Sequence, residues 1–265
     1  MNRLITITIA AGLLASLSAR EASAQEYKHP LDNNPDMTVQ FSFGQSDVTI
    51  EGHEANEVVI RVIRNLDFEE PPERAKGLRA LYYTAEDNTG IGLSVEEENG
   101  SLKIIPASRD NGDFRLLIPN RARLVVEEVN WGGGDFEISN HNGEIELRSK
   151  SGDIRMLNIT GPVIVSSTSG DVEADFSEIS QGTPSSISLV SGFIDIAVPS
   201  NARASFSMSS VSGEIYTDLK LELRGGNNGG MSRLGGGGRI EGTLNGGGVE
   251  VNLKTISGNI YLRSK

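Results

Sequence analysis

Apolar residues along this chain recur mainly with a period of two, the spacing of strands. In "GDFEISNHNGEIELRSKSGDIRMLNITGPVIVSSTSGDVEAD", Gly134 to Asp175, glycines stand at Gly134, Gly143, Gly152, Gly161 and Gly170, a step of nine. Two residues after each comes Phe136, Ile145, Ile154, Val163 or Val172, and four after comes Ile138, Leu147, Met156, Val165 or Ala174. Between them lie Glu137, Glu146, Arg155, Ile164 and Glu173, mostly charged. Alternation of this kind marks a strand with one buried face. Each unit is therefore one short strand and one glycine turn, with Ile154 pointing inward and Arg155 outward.

A second period is twice as long. Six residues past the glycines stand Asn140, Ser149, Asn158 and Ser167, and directly after them Asp135, Glu144, Asp153, Pro162 and Asp171. Asn alternates with Ser, and Asp returns at every second unit, so both patterns repeat at eighteen. Two strands and two turns per coil produce this, with equivalent residues stacked about 4.8 Å apart. The spacing predicts an all-β fold, a β-solenoid of stacked short strands with Gly turns and about two strands per coil. An antiparallel meander of nine-residue hairpins is the rival arrangement, but identical turns and Asn or Ser ladders are what stacking rewards.

The rest of the chain reads the same way. "MTVQFSF" and "DVTI" are strands joined at Gly44-Gln45, and "EVVIRVIRN" is a more buried one. "IGLSVEEENGSLKIIP" is a hairpin turning at Asn99-Gly100. The phrase returns at "SGFIDIAV", "SGEIYTDL", "GGVEVNL" and "SGNIYLRSK". A longer duplication sets "LLIPNRARLVVEEVNWGGGDFEI" from Leu116 beside "IAVPSNARASFSMSSVSGEIYT" from Ile196: strand, Pro, Ala-Arg, strand, glycine turn. One short helix is expected in the N-terminal part, at "EEPPERAKGLRALYY", where Pro71 and Pro72 fit a helix start and Leu78, Leu81 and Tyr82 form an apolar stripe. "GGNNGGMSRLGGGGRIEGTLNGGG", Gly225 to Gly248, reads as a flexible loop between strands, since no Gly-Lys-Ser/Thr follows to make a phosphate cradle.

"SGDIRM", "SGDVEA", "VSGEIY" and the closing "GRIEGTLNGGGVEVNLKTISGNIYLRSK" resemble the putative adhesin family of bacterial β-strand-repeat proteins, a domain of unknown function. The resemblance runs from about Met37 to Lys265 and is strongest from Leu116 onward. It implies an exported or envelope-associated protein and carries no catalytic residues.

The first residues stand apart. "MNRLITITIAAGLLASLSAREASAQ" has Arg3, an apolar run from Leu4 to Ala19 and Ala22-Ser23-Ala24. This is the pattern of a secretory signal cleaved after Ala24, and the run is shorter than the roughly 20 residues of a membrane-spanning helix. The expected organisation is a signal peptide at 1–24, a linker at 25–36 and a β-strand-repeat domain at 37–265. With no cysteine, disulfides and thiolate metal sites are excluded. A net charge of −12 disfavours nucleic acid and anionic lipid as partners.

Candidate chemistry is sparse. His29, His53 and His141 are far apart and read as surface histidines. Ser151, Ser169, Ser191, Ser212 and Ser257 precede glycines and read as turn residues that hydrogen-bond the local backbone. An eighteen-residue coil would put Asp135, Asp153 and Asp171 in one column, each expected to cap its own turn; a bridging cation is the alternative. Trp131 is the one tryptophan, either a sugar platform or a packing residue. No catalytic, cofactor-binding or metal-binding residue is assigned, and no cofactor. The reading is a non-enzymatic exported scaffold, periplasmic, outer-surface or secreted, whose partner is an envelope or surface protein or a glycan, with no nucleic acid and no stable membrane insertion. The alternatives are a carbohydrate-binding or carbohydrate-cleaving solenoid and a periplasmic accessory of envelope-stress signalling.

Overall fold

Strands form where the alternation predicts them. The computed structural model of the chain describes residues 26–31, 37–64, 73–75, 85–107, 112–223 and 238–265. The N-terminal part holds β1 (Glu26–Pro30), β2 (Thr38–Phe43), β3 (Val48–His53), β4 (Glu57–Arg64), β5 (Leu93–Glu98), β6 (Ser101–Pro106) and β7 (Asp113–Pro119). The middle holds β8 (Arg123–Glu128), β9 (Phe136–His141), β10 (Ile145–Ser149), β11 (Ile154–Ile159), β12 (Val163–Ser167), β13 (Val172–Phe176), β14 (Ser185–Ser191) and β15 (Ile194–Val198). Then come β16 (Ala204–Ser212), β17 (Ile215–Thr217), β18 (Glu222–Leu223), β19 (Arg239–Leu244), β20 (Val249–Ser257) and β21 (Ile260–Ser264).

These strands make two large mixed sheets. One has ten strands in the order β1-β4-β7-β3-β9-β11-β13-β15-β21-β17, the other eleven in the order β18-β19-β16-β20-β14-β12-β10-β8-β2-β6-β5. From β8 to β15 consecutive strands alternate between the sheets, and each pairs in parallel with the strand two away in sequence. Ile154 lies opposite Phe136 on one side and Val172 on the other, a register of eighteen residues. The hairpin meander is thereby ruled out for this stretch. At Asn99-Gly100, by contrast, β5 and β6 do pair antiparallel, with both turn residues at positive φ, 52° and 77°.

One strand from each sheet with the turn between them makes a rung. In space the rungs run β6/β7, β2/β3, β8/β9, β10/β11, β12/β13, β14/β15, β20/β21, β16/β17. Spatial order therefore departs from chain order at both ends. After β7 and again after β15 the chain steps over one rung, and the vacated places are filled by β2/β3 and β20/β21. Both steps use the same turn: Ala122 N–H donates to Pro119 C=O at 3.0 Å, and Ala202 N–H to Pro199 C=O at 2.9 Å. These are the two copies of the Pro and Ala-Arg duplication, which marks where the chain skips a rung. Antiparallel strands lie beyond the outermost rungs: β4 and β1 beside β7, β5 beside β6, and β19 and β18 beside β16.

The inward rows of both sheets belong to one core. Phe136, Ile138, Ile154, Met156 and Val172 from one sheet join Ile145, Leu147, Val163 and Val165 from the other, all buried. Burying such a side chain fully contributes about 1.5–3 kcal/mol, so a rung is stable only between neighbours. The glycine step has a packing cause as well. A Cβ on Gly152 would lie 2.1 Å from the carbonyl oxygen of Gly134, and one on Gly192 would lie 2.1 Å from that of Gly170. The turns stack so closely that no side chain fits.

Three expectations change. Of the helix expected at 69–83, only Glu73–Ala75 is described, as one 3-10 turn, and the rest falls outside the described residues. Within the stretch assigned to a linker, Glu26–Pro30 is strand β1, paired with β4. The glycine-rich stretch is not loop throughout, because Arg239–Leu244 inside it pairs antiparallel with β16; residues 224–237 fall outside the described residues. The signal at 1–24 also lies outside them.

Candidate functional site

The aspartates form a ladder along one edge of the ten-stranded sheet. Asp153 N–H donates to Asp135 Oδ1 at 3.0 Å, and Asp171 N–H to Asp153 Oδ1 at 2.8 Å. Asp135 N–H donates in turn to Asp47 Oδ1 at 3.0 Å, Asp47 N–H to Asp113 Oδ1 at 3.1 Å, and Phe193 N–H to Asp171 Oδ1 at 2.9 Å. The carboxylates thus accept from the next rung instead of capping their own turns. A carboxylate that receives a backbone N–H holds the two rungs in register by a charge-assisted bond. Asp47 and Asp113 escaped the sequence reading because they lie outside the nine-residue series. The signal was present, since each stands directly before an inward apolar residue, Val48 and Phe114, as Asp135 stands before Phe136.

A shallow groove of about 410 Å³ runs along this ladder, lined among others by Asp47, Asp135, Asp153, Asp171, Arg155 and Phe193. Its floor holds the exposed pair Arg155 to Glu173 at 3.2 Å, and beyond the groove the outer face of the same sheet carries Arg263 to Asp195 at 2.7 Å and Arg115 to Glu51 at 2.6 Å. Such pairs contribute little each, about 0–1 kcal/mol. Among the described residues no group of three or more His, Asp and Glu is placed to hold a metal ion.

The groove ends in aromatics. Phe193 occupies the ladder position of its rung and meets Tyr261 edge to face, centroids 6.1 Å apart. Tyr261 stacks on Tyr216 at 5.4 Å with 10° between the rings. The Tyr216 hydroxyl donates to Glu214, which raises its pKa above the ordinary value. Sequence reasoning passed over both tyrosines, which the inserted rung β20/β21 brings together from 45 residues apart, a distance set by the register Tyr216 to Tyr261.

Trp131 is exposed, at 61 %, and packs into neither core nor sheet edge. Its loop is nonetheless held firmly. Glu128, 2 % exposed, accepts from Gly133 N–H, from the N–H groups of Lys150 and Ser151, and from the hydroxyls of Ser149 and Ser151. Burial alone would raise its pKa, but the hydrogen bonds led by Lys150 N–H outweigh burial and hold it below the usual value. Ser151 Oγ therefore donates to this carboxylate and accepts from Gly132 N–H at 3.1 Å, 19 residues away, instead of bonding its own turn as the sequence suggested.

The histidines do not converge. His29 pairs with Glu97 at 2.9 Å, and His53 Nε2 lies 2.8 Å from Glu57 C=O. His141 is no surface residue: it is fully buried at the end of β9, its Nε2 2.9 Å from Ala122 C=O and its Nδ1 without a partner. Burial pushes its pKa down to about 4, with the bond to Ala122 opposing. Ala122 N–H closes one of the rung-skipping turns, so a neutral His141 fastens that turn to the stack.

A family model, Toastrack DUF4097, matches residues 5–263. Among solved structures the chain is similar to a putative cell adhesion protein from Clostridium sporogenes, at 12% identity and TM-score 0.46, covering 91% of this chain and 100% of that one. It is also similar to a putative lipid binding protein from Parabacteroides distasonis, at 13% identity and TM-score 0.31, covering 91% and 97%. A putative adhesin from Bacteroides fragilis follows at 10% identity and TM-score 0.26, covering 90% and 95%. No curated protein matches the chain. Among the described residues no helix is long and apolar enough to cross a membrane.

Proposed function

The chain belongs to the Toastrack DUF4097 family, and from that premise we propose that it is an exported, non-enzymatic interaction scaffold of the cell envelope or surface. In this reading the rungs are coils of a two-strand β-solenoid whose end coils are interleaved. The observation that carries it is the use made of the acidic residues. Asp135, Asp153 and Asp171, the groups best placed to be catalytic or to bind a cation, each accept a backbone N–H of the next rung. Acids committed to register belong to a framework, and what the framework offers a partner is its long acidic flank. Melting curves should therefore coincide in chelator and in millimolar Ca²⁺, whereas a cation held only by the folded state would add about 2.7 kcal/mol at a hundred times Kd.

The test is a pull-down with the exported protein from envelope extract, run beside a glycan array. A single protein partner is expected. A specific glycan would move the assignment to carbohydrate binding, the reading that the stacked Tyr216 and Tyr261 favour. N-terminal sequencing of the exported form should begin at Gln25; retention of Met1 would remove the export step from this proposal.

A further inference from the structure

Each sheet must end somewhere, and an end strand presents unpaired backbone groups that natural proteins blunt by charge, brevity or cover. Among the described residues the two sheets end in β1 and β17, and in β18 and β5. β5 carries Glu96, Glu97 and Glu98 in succession, all exposed. β1 carries Glu26 and Lys28, and β18 is only two residues long. β17 differs: Ile215-Tyr216-Thr217 has neither charge nor proline, and Tyr216 and Thr217 are exposed.

The hydrogen-bond pattern shows which groups look outward. Glu214 C=O accepts from Ile260 N–H at 2.9 Å. In a parallel ladder this turns the N–H and C=O of Tyr216 toward β21 and those of Ile215 and Thr217 toward the open side. The side chains repeat the message. Phe193, Tyr261 and Tyr216 lie on successive rungs, and the Tyr216 ring, stacked on Tyr261, is still 47 % exposed. A strand added to β17 would cover it with one more side chain.

We propose that this edge is a docking site for an extended, basic segment of another protein, which adds to the sheet as a strand and lays an apolar or aromatic side chain on Tyr216. The proposal rests on the scaffold reading above and names its kind of partner. Charge selects that partner. Glu214 and Asp218 bracket β17, and Asp218 is fixed by accepting Ser264 N–H at 2.7 Å. A second copy is disfavoured by the same charges: β1, β5 and β18 would bring Glu26, Glu96 to Glu98 and Glu222, a second β17 would bring its own Glu214 and Asp218, and each chain carries −12.

The probe is a fluorescent nine-residue peptide, Lys-Val-Lys-Val-Tyr-Val-Lys-Val-Lys, titrated with the exported protein and followed by anisotropy. Two controls replace every Lys by Glu or alternate Val by Pro. Saturable binding of the Lys peptide is expected, at least tenfold weaker for both controls. Thr217→Pro removes an outward N–H, and Tyr216→Ala removes the ring. Each should weaken the Lys peptide about tenfold, with melting temperature held within a few degrees for Tyr216→Ala. Absence of saturation, equal affinity for the Glu peptide, or binding untouched by either substitution overturns the proposal. So does end-to-end self-association in sedimentation that Tyr216→Ala abolishes, which would give the edge to a second copy. A positive pull-down with a silent peptide would sink this edge alone and leave the scaffold reading standing.

Discussion

Replacing Gly152 with alanine tests the stacking of the turns directly. The new methyl group would sit 2.1 Å from the carbonyl oxygen of Gly134, 3.1 Å from its carbon and 3.3 Å from a ring carbon of the buried Phe136. The φ of Gly152 is not in the left-handed region, so the backbone itself would accept alanine and the whole effect is the clash. Neither of these backbone atoms can swing away, and relief requires the two rungs to part by roughly 1 Å out of a spacing of about 4.8 Å. Overpacking of this kind costs about 1–3 kcal/mol. Two hydrogen bonds flank the contact, Asp153 N–H to Asp135 Oδ1 at 3.0 Å and Phe136 N–H to Asp153 C=O at 2.8 Å. Weakening them adds up to about 1 kcal/mol each. A loss of roughly 2–4 kcal/mol follows, which for a domain of this size is a fall in melting temperature of about 5–12 °C. Gly182 is the control: nothing lies within 4 Å of its added Cβ, and Gly182→Ala should leave stability unchanged or raise it by up to about 1 kcal/mol. Calorimetry on both variants decides. If Gly152→Ala melts within a degree of the parent, the turns are not in contact and the rungs do not stack at this edge.

Four other substitutions probe the core, the buried acid and the buried imidazole. Ile154 is 1 % exposed, and Ile154→Asp should unfold the domain or cost more than about 4 kcal/mol, while Arg155→Gln loses only an exposed ion pair and should cost under about 1 kcal/mol; matching melts would invert the faces of β11. Glu128→Ala strands the N–H groups of Gly133, Lys150 and Ser151, so it should cost roughly 3 kcal/mol or more and lower the fluorescence anisotropy of Trp131, the only tryptophan; an unchanged anisotropy would mean that something else holds the loop. His141 has its pKa depressed from 6.5 to about 4, so folded and unfolded states bind protons equally above pH 6.5, and below it the unfolded state takes one that the folded state refuses until about pH 4. Stability is lost as pH falls through that window, and by pH 5 the loss is about 2 kcal/mol. His141→Gln, whose amide can still donate to Ala122, should lack this share, and parallel pH profiles for the two proteins would place the imidazole in water.

Much of the architecture was legible because stacking repeats a chemical need at fixed intervals. The inward alternation of Ile154, Met156 and their equivalents, the eighteen-residue register and the glycine turns all arise from contacts between neighbouring rungs, and each contact leaves a periodic trace. The ladder was legible in position but not in bonding. Asp153 could serve its own turn or the next rung, and only the rung spacing decides. Single events leave no period. Glu128 is one of the two acids in "VVEEVN", and nothing in that stretch shows that it, and not Glu127 on the other side of β8, gathers five donors. His141 was misread for the same reason, since its burial comes from the skipped rung and the turn at Ala122, both remote in sequence.

The interleaving of the end rungs also explains where the open edge lies. In a simple stack the last rung in the chain would be the last in space, and β21 would form the edge. Here β21 is locked between β15 and β17. Long-range bonds fasten its rung on both sides: Thr255 Oγ1 donates to Gly192 C=O at 3.1 Å, and Ser210 Oγ to Gly258 C=O at 2.8 Å. The rung at the end, β16/β17, therefore packs on a rung built from residues 249 onward, which makes this part of the fold dependent on contacts of high sequence separation. The same insertion stacks Tyr216 on the half-buried Tyr261 and leaves Tyr216 outermost. An uncharged three-residue strand with an aromatic ring on its open side is thus a product of the skip after Val198, where the duplicated Pro and Ala-Arg turn carries the chain past one rung.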